Sequence, residues 1–370
     1  MSELAGREFE RILIIKPSSP GDIIHALPVL RRLRTRYPRA HIAWLVSTAF
    51  VNLLDADPSL DEVIPFDRKR YGRLGRSVGA TIDFVRFVRD LRARRFDLVV
   101  DLQGLIRSGL ISFFSGAGFR IGFRGAREGA WFFYNHRVDR LPADMHAADK
   151  ILALGRMLGL PEDSPDFRVA VTPADRRVAD ELLAEAGIEA EGRFAVLVPG
   201  TRWETKRWPA FRFGELARVL YARHGLRSVL VGSESDVADG RIAEDSSRIS
   251  VSGRVSADEP ATEAAAWSLC GRTTFRQLAA IIDRAAVVVT ADSAPMHIAA
   301  GHGRPLVALF GPTNPYRTGP YGKMDGVVKL PLACSPCYLR ALSQCPHGHQ
   351  CLLELTVDKV AERVGAVPGL

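Results

Sequence analysis

Two short stretches of this chain set a carboxylate among the small and cyclic residues that break regular backbone, and a third adds an ammonium. In Lys16-Pro17-Ser18-Ser19-Pro20-Gly21-Asp22, the Asp22 carboxylate follows an apolar run and heads the long periodic segment IIHALPVLRRLRTRY. Such a carboxylate can cap the helix or, facing a cleft, take a proton from a hydroxyl as a general base. His25, one turn on, either lines the same cleft or fills a helix–sheet interface. In Thr290-Ala291-Asp292-Ser293-Ala294-Pro295-Met296-His297, small polar residues end a β-branched run and lead into a helical period. A helix start of that kind offers unpaired N–H groups and a positive dipole end, which suits a phosphate. Asp292 or Ser293 can equally do no more than cap that helix. Thr201 through Lys206 follow the run FAVLVPG (194–200), and the Lys206 ammonium either serves the same phosphate or sits in solvent.

Other groups carry weaker signals. Arg68, Lys69, Arg70, Arg73, Arg107, Arg120, Arg124 and Arg127 make a basic cluster in the first half. Arginine suits bidentate contacts to carboxylate or phosphate, and an ordinary solvated surface is the competing reading. Cys334, Cys337, Cys345 and Cys351 run C-x2-C-x7-C-x5-C with His347 and His349 between the last two. Four soft ligands so close could hold zinc or iron, or remain structural thiols or disulfides; the spacing is that of no standard zinc finger. Asp55-Ala56-Asp57 reads as a turn closed by Pro58. Gly116 to Gly122 is off the dinucleotide-binding spacing by one and precedes no long helix.

The elements that must position these groups alternate strand and helix. Apolar runs at 12–15, 41–46, 62–66, 96–102, 194–200, 228–232, 285–290 and 305–311 are separated by helical stretches, and VDKVAERVGAV reads as a last helix. Nearly all-apolar strands alternating with helices predict a parallel α/β sheet, in two copies. Ligands of such sheets bind outside the carboxyl ends of the strands, where all three stretches fall. Ser19, Gly21 and Gln103 join one rim, and Thr201, Glu234 and His297 the other; two facing rims would make a cleft between the domains. The chain has 370 residues, 47% apolar and 25% charged, enough for two domains and against a disordered or disulfide-stapled class. Its net charge of +8 points to anionic partners, whether phosphates, nucleic acid or an acidic membrane. No apolar run approaches the ~18 residues of a spanning helix, and the acid-bearing start MSELAGREFERILIIK does not read as a signal peptide or anchor. A soluble or peripheral protein, in the cytoplasm, is the expectation.

RILIIKPSSPGDIIHALPVLRRLRTRYP, DLVVDLQGLIRSGLIS, IGFRGAREGAWFFYNHRV, VPGTRWETKRWP, VVVTADSAPMHIAAGHGRPLVALFGPTNP and CSPCYLRALSQCPHGHQCL together resemble glycosyltransferase family 9, the ADP-heptose:lipopolysaccharide heptosyltransferases. The resemblance implies a GT-B fold of two Rossmann-like domains with an interdomain cleft. The acceptor domain would span 1–172, the nucleotide-sugar domain 173–352, and a C-terminal helix at 353–370 would pack back on the first. It implies inverting, metal-independent heptose transfer from ADP-heptose, with no catalytic cofactor, to Kdo-lipid A or heptosyl-Kdo at the inner face of the anionic cytoplasmic membrane. By position it makes Asp22 the base, places Lys206, Asp292, Ser293 and Ala294 on the diphosphate, and sets Glu234, Thr273 and Thr274 around the nucleoside. Arg127, with Arg68, Arg70 and Arg120 of the basic lobe, would hold the acceptor. Pro295 and the long polar segment 241–270 depart from the family pattern. Another nucleotide-sugar or acceptor is the alternative, and a nucleic-acid binder with aromatics among its arginines a remote one; no nucleic acid is expected.

Overall fold

The computed structural model describes residues 4–73, 76–249 and 263–370. The chain divides into two compact units, Met1–Ala170 and Val171–Leu370. Of the departing segment 241–270, residues 250–262 lie outside the described residues.

In the first unit the strands are β1 (Arg11–Ile15), β2 (His41–Ser47), β3 (Glu62–Phe66), β4 (Leu98–Asp101), β5 (Phe119–Phe123) and β6 (His136–Val138). They form one six-stranded sheet in the order β3-β2-β1-β4-β5-β6, with every pair parallel. The β1 run Ile12-Leu13-Ile14-Ile15 is fully buried, as is β4, because helices cover both faces of a parallel sheet. The sequence of β1, β2 and β3 runs one way across the sheet and that of β4, β5 and β6 the other, so the order reverses between β1 and β4.

The second unit repeats the plan. Its strands are β7 (Phe194–Val198), β8 (Arg227–Leu230), β9 (Arg248–Ile249), β10 (Glu263–Ala264), β11 (Ala266–Ser268), β12 (Val287–Ala291), β13 (Leu306–Phe310) and β14 (Val327–Lys329). Six form a parallel sheet in the order β11-β8-β7-β12-β13-β14, and β9 and β10 pair antiparallel by themselves. Here the reversal lies between β7 and β12. Phe213, Leu216 and Leu220 of helix Ala210–His224 bury one face of this sheet. Each such side chain contributes about 1.5–3 kcal/mol by leaving water. Val360, Ala361 and Val364 of the C-terminal helix Val357–Gly365 belong to this same core. The Trp208 indole N–H fixes the approach to that helix by donating to the Leu355 carbonyl at 2.8 Å.

The apolar runs become strands within a residue or two of their expected ends. The short strands β5, β6, β11 and β14 were not expected. β5 runs through the discarded Gly116–Gly122 stretch, and its glycine has a packing reason: a Cβ on Gly122 would lie 2.3 Å from the Tyr134 ring. The stretch AFVNLLDA (49–56), expected as a helix, instead contains a 3-10 helix over Thr48–Leu53. Asp55-Ala56-Asp57 is a turn, with Asp57 buried against Arg31 at 3.2 Å and capping the Ser59 N–H at 3.0 Å.

Candidate active site

The reversal point of the first sheet is built from the loops after β1 and β4. Ser19 is the N-cap of helix Pro20–Arg36, and Asp22 is its third residue, not the cap itself. Both the Ser19 N–H and its hydroxyl donate to Asp22 Oδ2, at 3.0 and 2.8 Å. This capping-box geometry fixes the carboxylate at the rim. Burial pushes the Asp22 carboxyl up, but the Lys16 ammonium, the two Ser19 donors and His25 outweigh it and hold the group below its ordinary value. Lys16 is itself buried, so Asp22 supplies the anion that a buried cation requires.

The loop after β4 is organised by Asp101, which is fully buried. Its Oδ1 accepts the N–H groups of Gln103 and Gly104 at 2.9 and 3.2 Å, and its Oδ2 accepts the Tyr134 hydroxyl at 2.7 Å. Burial pushes Asp101 up even against these donors, and burial beside Asp101 pushes the Tyr134 phenol up strongly. Gln103 Oε1 is buried with no hydrogen-bond partner among the described residues, a free acceptor at this rim.

The expected acceptor residues separate in space. Gly21 is buried beside Asp22 at the helix start. Arg68 joins them, with Nη1 3.0 Å from Ser18 Oγ. The Arg127 N–H donates to the Gly104 carbonyl at 3.0 Å, so its exposed side chain leaves from the Gln103 loop. Arg70 turns to Asp83, which accepts from Nε at 2.9 Å and from Nη2. Arg120 is directed elsewhere: its Nε and Nη1 donate to the carbonyls of Phe133 and Ala117 at 2.9 and 2.6 Å. Those carbonyls precede β6 and β5, so the guanidinium lies at the amino-end rim.

At the reversal point of the second sheet, Lys206 Nζ stands 2.7 Å from Asp292 Oδ2, with both side chains largely buried. Thr313 Oγ1, from the loop after β13, donates to the same oxygen at 2.7 Å. The Trp203 ring lies 4.4 Å from the Lys206 ammonium and 4.8 Å from the Arg340 guanidinium. Thr201 is buried and shapes this loop, accepting the Trp203 N–H at 3.3 Å through Oγ1 and the Arg207 Nε–H at 3.1 Å through its carbonyl. Ser293 is the N-cap of helix Ala294–Gly301, with its Oγ 3.1 Å from Thr290 Oγ1. Pro295 has no N–H and that of Met296 goes to the Ser293 carbonyl at 3.2 Å, which narrows the first-turn donors to Ser293 and Ala294. His297 is buried one turn into this helix.

Two strands away, the loops after β8 and β11 meet. The Gly271 N–H donates to the Gly232 carbonyl at 2.9 Å. Gly271 has φ +78°, and a Cβ there would lie 2.7 Å from Glu234 Oε2. Glu234 therefore rests on the turn that leads to Thr273 and Thr274. Thr274 caps helix Phe275–Arg284 and exchanges hydrogen bonds with Gln277, its N–H donating at 2.8 Å. Along the rim the row thus runs Thr273–Thr274, Glu234, Lys206, Asp292, Thr313, in the order of the strands, which stand about 4.8 Å apart.

Thr313, Trp203 and Asp101 were missed as site-shaping residues. Thr313 stands in a strand-end loop that the sequence does mark, but nothing in spacing ties it to Asp292. The cysteines do gather: Cys334, Cys337, Cys345 and Cys351 line one cavity of about 240 Å³ with His347. All are free thiols, and Cys351 is pushed up to about 11 by burial and then by the neighbouring thiols. Among the described residues, however, no three His, Cys, Asp or Glu side chains form a group that could hold a metal ion, so zinc or iron, one of the readings of these cysteines, gains no support.

Comparison with known proteins is consistent with this architecture. The family profile described as Glycosyltransferase family 9 (heptosyltransferase) matches residues 84–346. Lipopolysaccharide heptosyltransferase 2 of Escherichia coli K12 is 28% identical over 368 residues, 96% of this chain and 98% of the relative. Lipopolysaccharide core heptosyltransferase OpsX of Haemophilus influenzae is 27% identical over 321 residues, 86% and 84% of the two chains. The solved structure of E. coli heptosyltransferase WaaC with ADP-2-deoxy-2-fluoro heptose superposes with a TM-score of 0.72 at 25% identity, covering 96% of this chain and 99% of that one. The α/β fold of two Rossmann-like parallel sheets is the GT-B type. With more than half of its length inside the matched profile, the chain belongs to glycosyltransferase family 9.

Proposed function

We propose that this chain transfers heptose from ADP-heptose to the lipopolysaccharide inner core, on Kdo-lipid A or heptosyl-Kdo, by an inverting displacement that needs no catalytic metal. The observation that carries the reading is the Lys206–Asp292 pair at the reversal point of the second sheet, 2.7 Å apart beside a helix N-terminus. The names of the relatives, which act on lipopolysaccharide, support it.

In this reaction the bond from the sugar C1 to the diphosphate breaks while a bond to the acceptor oxygen forms on the opposite face. The departing ADP gathers negative charge. Lys206 and the N–H groups of Ser293 and Ala294 supply fixed positive charge there, which is the work a divalent ion does in other transferases. Glu234 accepts hydrogen bonds from ribose hydroxyls, and Thr273 and Thr274 flank the base. Asp22 takes the proton of the attacking hydroxyl; held below its ordinary value, it is ionised and ready at neutral pH. Arg68 and Arg127 hold the anionic groups of the acceptor near Ser19 and Gly21, and the unpaired Gln103 side-chain oxygen accepts from one of its hydroxyls. The enzyme works at the cytoplasmic face of the inner membrane, where its basic excess meets anionic lipid.

The test is turnover of ADP-heptose, GDP-mannose and UDP-glucose with Kdo-lipid A, with the product anomer read by NMR and EDTA as a control. ADP-heptose turnover with inversion and no effect of EDTA is expected. Turnover of another donor instead, retention, or loss of activity in EDTA contradicts the reading.

A further inference from the structure

The first unit carries an apolar surface that its own core does not use. On helix Ile106–Phe114, positions 106, 110, 113 and 114 fall on one side. Ile106 is 44% exposed, Phe113 50% and Phe114 38%. Beside them Phe132 is 68% exposed and stacks on Trp131 at 3.7 Å. Phe113 touches both Phe114 and Phe133, with ring centroids 5.6 and 6.1 Å apart, so the two segments make one continuous patch. Cations are built into it. Arg120 lies 5.6 Å from the Phe113 ring and Arg137 5.3 Å from the Trp131 ring. Arg107 follows Ile106 on the helix and is exposed. Residues 105–140 hold six arginines (107, 120, 124, 127, 137 and 140) against two acids, Glu128 and Asp139. Both acids are engaged: Glu128 accepts the Ile106 N–H at 3.3 Å and Asp139 pairs with Arg124 at 3.1 Å.

We infer that this aromatic–arginine patch is the surface by which the enzyme docks onto an anionic phospholipid bilayer. Exposed aromatic rings with arginines beside them match the two layers of a membrane interface, an apolar boundary under negatively charged headgroups. Among the described residues no helix is long and apolar enough to cross a membrane, so attachment by these residues is peripheral. A second copy of the chain fits less well, because two such faces would bring like charges, Arg120 and Arg137 among them, against each other. The inference rests on the lipid-linked acceptor proposed above, yet binding to vesicles can be measured without any turnover.

The experiment is co-sedimentation of the full chain with vesicles of phosphatidylethanolamine and phosphatidylglycerol, and with phosphatidylcholine vesicles, free of acceptor. The parent should bind the anionic vesicles and release at high salt. Ile106→Ser with Phe132→Ser should lower the partition coefficient by roughly tenfold or more, since each withdraws one apolar side chain from the membrane boundary. Phe132→Trp should retain binding. The double variant should keep the melting temperature and the turnover of a de-acylated, water-soluble acceptor, which separates loss of docking from loss of fold or of catalysis. Equal partition of parent and double variant, or equal binding to both kinds of vesicle, overturns the inference. So does a parent that ignores vesicles but forms a dimer that the double variant abolishes.

Discussion

Replacing Lys206 by alanine probes the donor side of the site most sharply. Its ammonium is 2.7 Å from Asp292 Oδ2, and the two side chains are 15% and 7% exposed, so water screens the pair weakly. A charge-assisted hydrogen bond of this kind is worth about 1.5–3 kcal/mol, and loss of one donor to a developing oxyanion costs about a hundredfold to a thousandfold in rate. Lys206→Ala also leaves the Asp292 carboxylate, still held by Thr313, without its cation beside an incoming diphosphate. The upper half of that range is therefore expected for kcat/KM, with ADP binding weakened roughly tenfold to a hundredfold. Adding Asp292→Asn removes the stranded charge, so the double variant should recover part of the loss in ADP affinity, a positive coupling in a double-mutant cycle. The assay is continuous ADP release together with calorimetric titration of ADP, with the melting temperature as a check on folding. A Lys206→Ala enzyme within about threefold of the parent in kcat/KM would refute the phosphate role of this lysine.

Three further outcomes follow from the geometry. Because Asp22 is held below its ordinary value of 3.8, the acid limb it imposes on kcat/KM lies below that pH; a rate profile from pH 5 to 8 that shows an acid limb near 6 would point to another base. Gly122→Ala puts a methyl 2.3 Å from the Tyr134 ring and should cost about 1–3 kcal/mol, read as a lowered denaturation midpoint; an unchanged midpoint would show that β5 can shift freely. Asp175 accepts from Thr172 and from Arg276 Nε at 2.9 Å, and despite burial these partners hold it below its ordinary value. Its stabilisation is present above that value and is lost as pH falls through the folded one, so Asp175→Asn should lower the melting temperature at pH 7 and narrow the gap to the parent under strong acid.

The parts of the fold legible in the sequence were those buried on both faces. Ile12 to Ile15 and Val287 to Thr290 announce strands because helices cover them on each side, and the loops that follow hold Asp22 and Asp292. β5, β6, β11 and β14 were hidden because short strands with mixed residues, such as His136-Arg137-Val138, carry no continuous apolar run. The site was legible where chemistry follows directly upon a strand end. Its pairings were not: Lys206 and Asp292 lie 86 residues apart, and only the parallel neighbours β7 and β12 bring them together. Arg120 shows the opposite case. Its type and neighbourhood suggested a contact to the acceptor beside Asp22, but it lies early in β5, where its guanidinium meets the carbonyls of Ala117 and Phe133 at the other rim.

The most direct test of the account is Asp22→Asn, measured in a single turnover of ADP-heptose with Kdo-lipid A alongside calorimetric binding of the donor. Asparagine keeps the size of the side chain and removes its basicity. The account predicts a rate constant lower by roughly a hundredfold or more with donor affinity nearly unchanged. A near-normal rate constant would contradict it.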